Sequence, residues 1–376
     1  MYFLLVVIIN NYVIIVMILF CLVMLFMEKR LSFVDVLRGM AIFFIVLGHS
    51  LIYSSHCSLI FKFLYSFHVP LFFLISGYVF KLKDDENFFS FVKRKFKRIM
   101  VPYFVWALLF LIPYYIFGAK VNNQLNTNSS FNIMNSLFGI VYGNGINSGL
   151  KQNSPLWFLP ALFSMEVFYF YIIKFLKNKK YYINFSFLVI TALCGLFSYK
   201  FINFLLPWGG KTVLELGIFF LLGYLLNKYK IVSKIVSDKS MYFLFLILMF
   251  IFGMLFVFNS NVDCMNYNYG NYGLFLLTSI SLSFFFLLIS KKLNKNKLLE
   301  YLGNNTIPIL IFHKLIVVLF QSKFGFFTNL MINSNGLIDL ILAFLVTNIA
   351  IIFSLVCGKI IRILNFEILL GEKVKK

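Results

Sequence analysis

Acidic side chains are scarce in this chain. Asp and Glu number 13 among 376 residues, against 34 Lys and Arg, and charged residues of either sign make up only 12%. A soluble protein of this length could not cover its apolar surface with so little charge, which excludes that class. The five cysteines show no CxxC and no Cys/His metal spacing, so no metal site is readable. Cys57 and Cys264 fall in loops on the same expected side; spacing alone establishes no bridge, and they are read as two free thiols. There is no P-loop, no dinucleotide-binding glycine pattern, no HExxH and no GxSxG. Metal-dependent and serine-triad mechanisms therefore have no support. No internal repeat and no separable soluble domain is visible.

What is present is apolar. Hydrophobic residues make up 61% and the mean hydropathy is +0.91. Runs long enough to span a bilayer occur near 2–27, 34–54, 59–80, 99–118, 156–175, 182–204, 212–227, 241–259, 271–290, 303–321 and 338–361. Alternate loops hold 26 of the 34 Lys and Arg, and the intervening loops hold six. The net charge of +21 therefore marks cytoplasmic loops rather than a nucleic-acid surface. The fold class is all-α: a polytopic membrane bundle of ten core helices, residues 28–364, with a cytoplasmic tail over 365–376. Residues 1–27 form an extra apolar segment without charge before Glu28. Either it is an added helix with its N-terminus outside, or translation begins at Met27; it lacks the basic region and cleavage site of a signal peptide. The outer loop at about 119–154 is rich in Asn, Ser and Gly, and reads equally as a cover for an outer site or as a linker.

Arg38 and His49 lie on one apolar run. On a helix, eleven residues place them about 20° apart around the axis and about 16 Å apart along it. Intramembrane ionisable groups are expensive and mark function by default. Asp35, at i−3, can pair with Arg38; an arginine so near the helix end can also snorkel. The next run carries His68, Pro70, Ser76, Gly77 and Tyr78, with His68 expected near the outer end. Lys93, Arg94, Lys95, Lys97 and Arg98 crowd six positions, which suits topology and also a polyanion such as a nucleotide diphosphate. Glu215 lies on a later run; Glu166, His313 and Lys314 should face a protein or water-filled interior, with Glu166–Lys314 or Glu166–His313 as possible pairs.

The order Asp35-Val36-Leu37-Arg38-Gly39 followed by His49 resembles the opening of acyltransferase family three, integral-membrane enzymes that O-acetylate bacterial surface carbohydrates. Phe67-His68-Val69-Pro70 through Ser76-Gly77-Tyr78 resembles the family too. So do Arg98-Ile99 with Pro102-Tyr103, Leu156-Trp157-Phe158-Leu159-Pro160, and Leu302-Gly303-Asn304-Asn305-Thr306 running to His313. The resemblance covers about 28–361 and implies ten core helices in the bacterial cell membrane. It also implies acetyl-CoA as a cytoplasmic co-substrate, with no permanently bound cofactor, and a surface glycan or lipid-linked sugar as acceptor. Carried over, His49 is the candidate general base and Arg38 belongs to the donor site. The family's Arg-x-x-Arg falls on Lys95 and Arg98; Lys95 departs from it, because lysine gives no bidentate phosphate contact. Arg94 joins these as a donor-site candidate. Asp35, His68, Ser76, Tyr78, Glu166 and His313 are supporting residues, with Ser76 and Tyr78 as candidate oxyanion donors. The expected reaction carries the nucleotide end at Arg98 and the pantetheine arm past Arg38, and brings the thioester to His49. The alternative is a glycan flippase or exporter of the same fold.

Overall fold

The computed structural model describes residues 33–52, 54, 56–83, 85–116, 133–143, 150–294, 296–322 and 336–372. The segment 1–27, with its two readings, lies outside them, as does most of the loop 119–154. Among the described residues nine helices are long and apolar enough to cross a bilayer, and a tenth crossing is a pair bent by 84°. These ten correspond to the ten runs after residue 27. No strand occurs among the described residues beyond an isolated bridge between Asp263 and Asn268.

The first crossing is α1, Phe33–Ser50. The second is broken into α2, Ser58–Tyr65, and α3, His68–Tyr78. The third combines α4, Phe88–Lys95, a π-turn at Phe96–Met100, and α5, Val101–Leu109. A short helix, α6, Ile133–Tyr142, lies in the polar loop. Then follow α7, Phe158–Leu176, α8, Tyr181–Phe201, α9, Gly210–Lys228, and the short α10, Ile231–Ser237. The last crossings are α11, Lys239–Met254, α12, Tyr272–Lys292, the bent pair α13, Lys297–Asn304, and α14, Thr306–Ser322, and finally α15, Gly336–Ile363.

Local chemistry starts several of these helices. Asn87, Asp238, Asn271 and Asn296 each accept a hydrogen bond from the backbone N–H three residues on, at 2.8–3.0 Å. The bend between α13 and α14 falls where Asn305 separates them, and Pro308 sits in the first turn of α14, where a missing N–H costs nothing. The run near 303–321 is thus not one straight helix. The third crossing begins at Phe88 rather than near 99, so the basic cluster 93–98 is helical, with Lys95 buried and Lys93, Lys97 and Arg98 exposed.

Burial separates a centre from a rim. In α9 and its preceding turn 78% of the span is buried, whereas only 17% of the α11 span is, leaving its Phe and Leu side chains to face lipid. Two glycine seams fix the centre. A Cβ on Gly39 would collide with the Leu299 carbonyl of α13, and one on Gly303 with the Asp35 carbonyl of α1. Gly77 and Gly223 meet the Phe220 and Leu74 carbonyls in the same reciprocal way, locking α3 to α9. Cys57 and Cys264 are both buried free thiols.

Candidate active site

A cavity of about 300 Å³ lies among α1, α3, α4 with its π-turn, α7 and the α13–α14 elbow. Helix α1 contributes Arg38, Ile42 and Ile45, successive residues of one face. The same face reaches His49 one turn beyond Ile45. Helix α14 contributes Ile307, Pro308 and Leu310, and reaches His313 three residues further on. The two histidine rings stand 5.4 Å apart with their planes at 33°. Two helices that wall the cavity therefore each carry a histidine just past its end, and the rings meet there.

The basic end is charged and paired. Arg38 Nη1 donates to Asp35 Oδ1 at 2.9 Å. Lys95 Nζ donates to Glu166 Oε1 at 2.7 Å, with both side chains buried, while Glu166 Oε2 has no partner among the described residues. The partner of Glu166 is thus Lys95; the expected pairing with Lys314 or His313 is corrected, because α7 packs beside the π-turn that follows Lys95. Arg98 is exposed and lines the cavity with Arg38, Lys95, Ser76 and Glu166. Arg94 does not line it: its guanidinium grips Glu86 through two hydrogen bonds of 2.7 and 2.8 Å, which holds the Glu86 carboxyl below the usual carboxylate range.

The far end is aromatic and held by backbone carbonyls. His313 Nδ1 donates to the Ile309 carbonyl at 2.7 Å, and His68 Nδ1 donates to the Leu64 carbonyl at 2.7 Å. Tyr65 stands between His49 and His68. Its hydroxyl is 3.4 Å from His49 Nδ1, and its ring lies 4.7 Å from that of His68. His68 sits in mid-span and is buried, not near the outer end as expected, because the chain continues helically from Ser58 to Tyr78 across the break at 66–67. Beyond His49, Ser54 donates to the buried Asp339 at 2.5 Å, tying this end of the bundle to α15. Among the described residues no group of three or more His, Cys, Asp or Glu could hold a metal ion.

Neither expected oxyanion donor is placed for that role. Ser76 gives its proton to the Phe72 carbonyl at 2.8 Å. The Tyr78 ring packs edge-on against Phe33, at the opposite end of α1 from His49.

One wall was not legible in the sequence. After α15 the chain reverses at Asn365 and turns through Glu367–Leu370, so that Leu370, Gly371 and Glu372 line the basic end of the cavity. Trp106 Nε1 donates to the Leu369 carbonyl at 2.8 Å, and Arg362 holds Glu372 through hydrogen bonds of 2.6–3.2 Å. Gly371 seats on the Arg98 carbonyl with no room for a side chain, at φ +68°. Part of the segment read as a cytoplasmic tail, 365–376, thus lines the site. The only local signal was Gly371 itself.

Residues 31–357 match the acyltransferase domain of acyltransferase family three, which is most of the chain. No curated protein and no solved structure matches it. The chain belongs to acyltransferase family three, and it is a multi-pass membrane acyltransferase.

Proposed function

We propose that this member of acyltransferase family three moves an acetyl group from acetyl-CoA to a hydroxyl of a surface polysaccharide or lipid-linked glycan, in the cell membrane of a bacterium. The observation that carries this reading is the course of the cavity. It runs from Arg98 and Arg38 at the basic end, along one face of α1, to a point one turn short of His49.

The two ends of acetyl-CoA differ as the two ends of the cavity do. Its phosphates match Arg98 and Arg38, and its uncharged pantetheine arm matches the strip of Ile42, Ile45, Phe72 and Leu310. The rise of about 16 Å from Arg38 to His49 is of the order such an arm spans. The acceptor hydroxyl oxygen attacks the thioester carbonyl carbon while His49 takes its proton. The tetrahedral intermediate then expels the CoA sulfur, which recovers the proton from His49. The glycan keeps the new ester, and the histidine returns to its starting state.

A positioned base contributes about 10²–10⁴-fold in rate. His49→Ala is therefore expected to fold and to lose transfer by that factor, measured with radiolabelled acetyl-CoA and membranes carrying the full chain. Mass spectrometry of surface glycan from a deletion strain should show loss of the acetyl mass, restored by the wild-type gene and not by His49→Ala. Undiminished acetylation in the variant would remove His49 from the role of base. Glycan stranded inside the cell with its acetylation unchanged would point instead to export.

A further inference from the structure

Beside His49 lies a second imidazole with one nitrogen committed and the other vacant. A carbonyl oxygen only accepts, so the Ile309 contact puts the proton of His313 on Nδ1. In the neutral ring, Nε2 then carries a lone pair. His313 is fully buried, and among the described residues this Nε2 has no hydrogen-bond partner. Buried polar atoms are satisfied as a rule, so an acceptor atom left open beside His49 asks for a donor. The vacancy is not a metal site, since no group of three or more metal-ligating side chains surrounds it among the described residues. The thioester carbonyl offers no donor to fill it; a hydroxyl does.

We propose that His313 binds the acceptor: its Nε2 accepts a hydrogen bond from a hydroxyl next to the one that reacts, so the centre selects acceptors with adjacent hydroxyls. This rests on the reading of His49 as the site of acyl transfer. With the two rings 5.4 Å apart, one acceptor can meet both, its reacting hydroxyl at His49 and the neighbouring hydroxyl at His313. Orientation of the acceptor is then set by a helix fixed to the cavity wall through Ile307, Pro308 and Leu310.

The test uses the full-length protein in lipid nanodiscs, acetyl-CoA, and the producing cell's own surface glycan stripped of ester groups with mild base. His313→Leu removes the acceptor atom, whereas His313→Gln restores an amide oxygen close to the position of Nε2. The expected result is a KM for glycan raised about tenfold in His313→Leu, with the KM for acetyl-CoA unchanged, and recovery to within about threefold of wild type in His313→Gln. Thermal unfolding of both variants checks that they are folded. An unchanged glycan KM in a folded His313→Leu overturns the proposal. A raised KM for acetyl-CoA alone overturns it too, because Nε2 would then serve the donor. Equal loss in Leu and Gln variants overturns it in favour of proton transfer or a purely structural role. Full transfer by His49→Ala removes the underlying reading, and this one with it.

Discussion

At the basic end of the cavity, acid meets base: Asp35 with Arg38, Glu166 with Lys95, Glu372 with Arg362. At the far end stand aromatic rings: a carbonyl of its own helix holds His313, and the Leu64 carbonyl of the preceding helix α2 holds His68. Charge pairs are exchangeable, since an anionic ligand can take the place of a carboxylate. A ring fixed by its own helix is not exchangeable, because its partner travels with it. The basic end is thus suited to hold and release a polyanion, and the far end to keep groups aimed while bonds change. Lys95–Glu166 is the exception at the basic end, being buried on both sides.

That exception gives the largest expected effect on stability. Removing one member of a buried pair strands a charge, so Glu166→Ala should cost about 3–5 kcal/mol, while Lys95→Met with Glu166→Leu should be near neutral. Denaturation in detergent, scored as a double-mutant cycle, measures both. A single variant as stable as wild type would show Lys95 to be solvated, and the contrast between fixed and exchangeable pairs would fail.

The seam that sets the distance between α1 and the elbow comes next. Gly303→Ala drives a methyl into the Asp35 carbonyl and should cost about 1–3 kcal/mol. The shift should reach Arg38 before it reaches His49, since Asp35 and Arg38 share a turn. A thermal melt, together with separate KM values for donor and acceptor, checks this. A loss confined to the acceptor side would reverse the expected order.

A smaller effect is expected at the hook. Glu372→Gln removes a negative charge from a wall that also holds Arg98 and frees Arg362 for an anion. The KM for acetyl-CoA should fall by about two- to fivefold at low salt, with the gain lost at high salt. The glycan KM should not move. A weaker donor KM would show that Glu372 orders the wall rather than competing with the ligand.

The smallest effect belongs to Glu86, which pairs with Arg94 outside the cavity. Its carboxyl titrates below the ordinary value in the folded state. The pair therefore adds stability above the unfolded carboxyl's pKa, and that stability fades as pH falls through the lower folded value. The partly exposed Arg94 leaves the pair screened by solvent, which keeps it to about 1 kcal/mol or less. Glu86→Gln should remove this slope from the acid side of a stability–pH curve and leave acyl transfer intact. Altered donor affinity in that variant would return Arg94 to the donor site.

The expectations that held and those that failed divide along the same line. Ten crossings, and Arg38 and His49 on one face, were legible because hydropathy and helical period act over a few residues at a time. Arg94 stands apart from the cavity-lining cations because density of like charge says nothing about which cation an acid has claimed; Glu86, two residues before α4, claims it. Lys95, set apart from the family pattern as a lysine, is the residue that answers Glu166. A lysine suits that place, since one buried carboxylate oxygen needs one donor. Ser66 and the polar run Gly303-Asn304-Asn305-Thr306 mark the breaks at 66–67 and Asn305 in composition, but composition does not register direction.

By itself the sequence determined that this chain spans a membrane, where its basic ends lie, and that α1 carries a cation and an imidazole on one stripe. Its motifs also sufficed to identify the family. Only the tertiary structure decided that Glu166 belongs to Lys95, that residues 367–372 return to wall the cavity, and that His313 stands beside His49. Each of these is a meeting of segments remote in the chain. It is set by where glycine seams let helices approach and by where α13 bends into α14, and neither leaves a periodic trace that a linear pattern could carry.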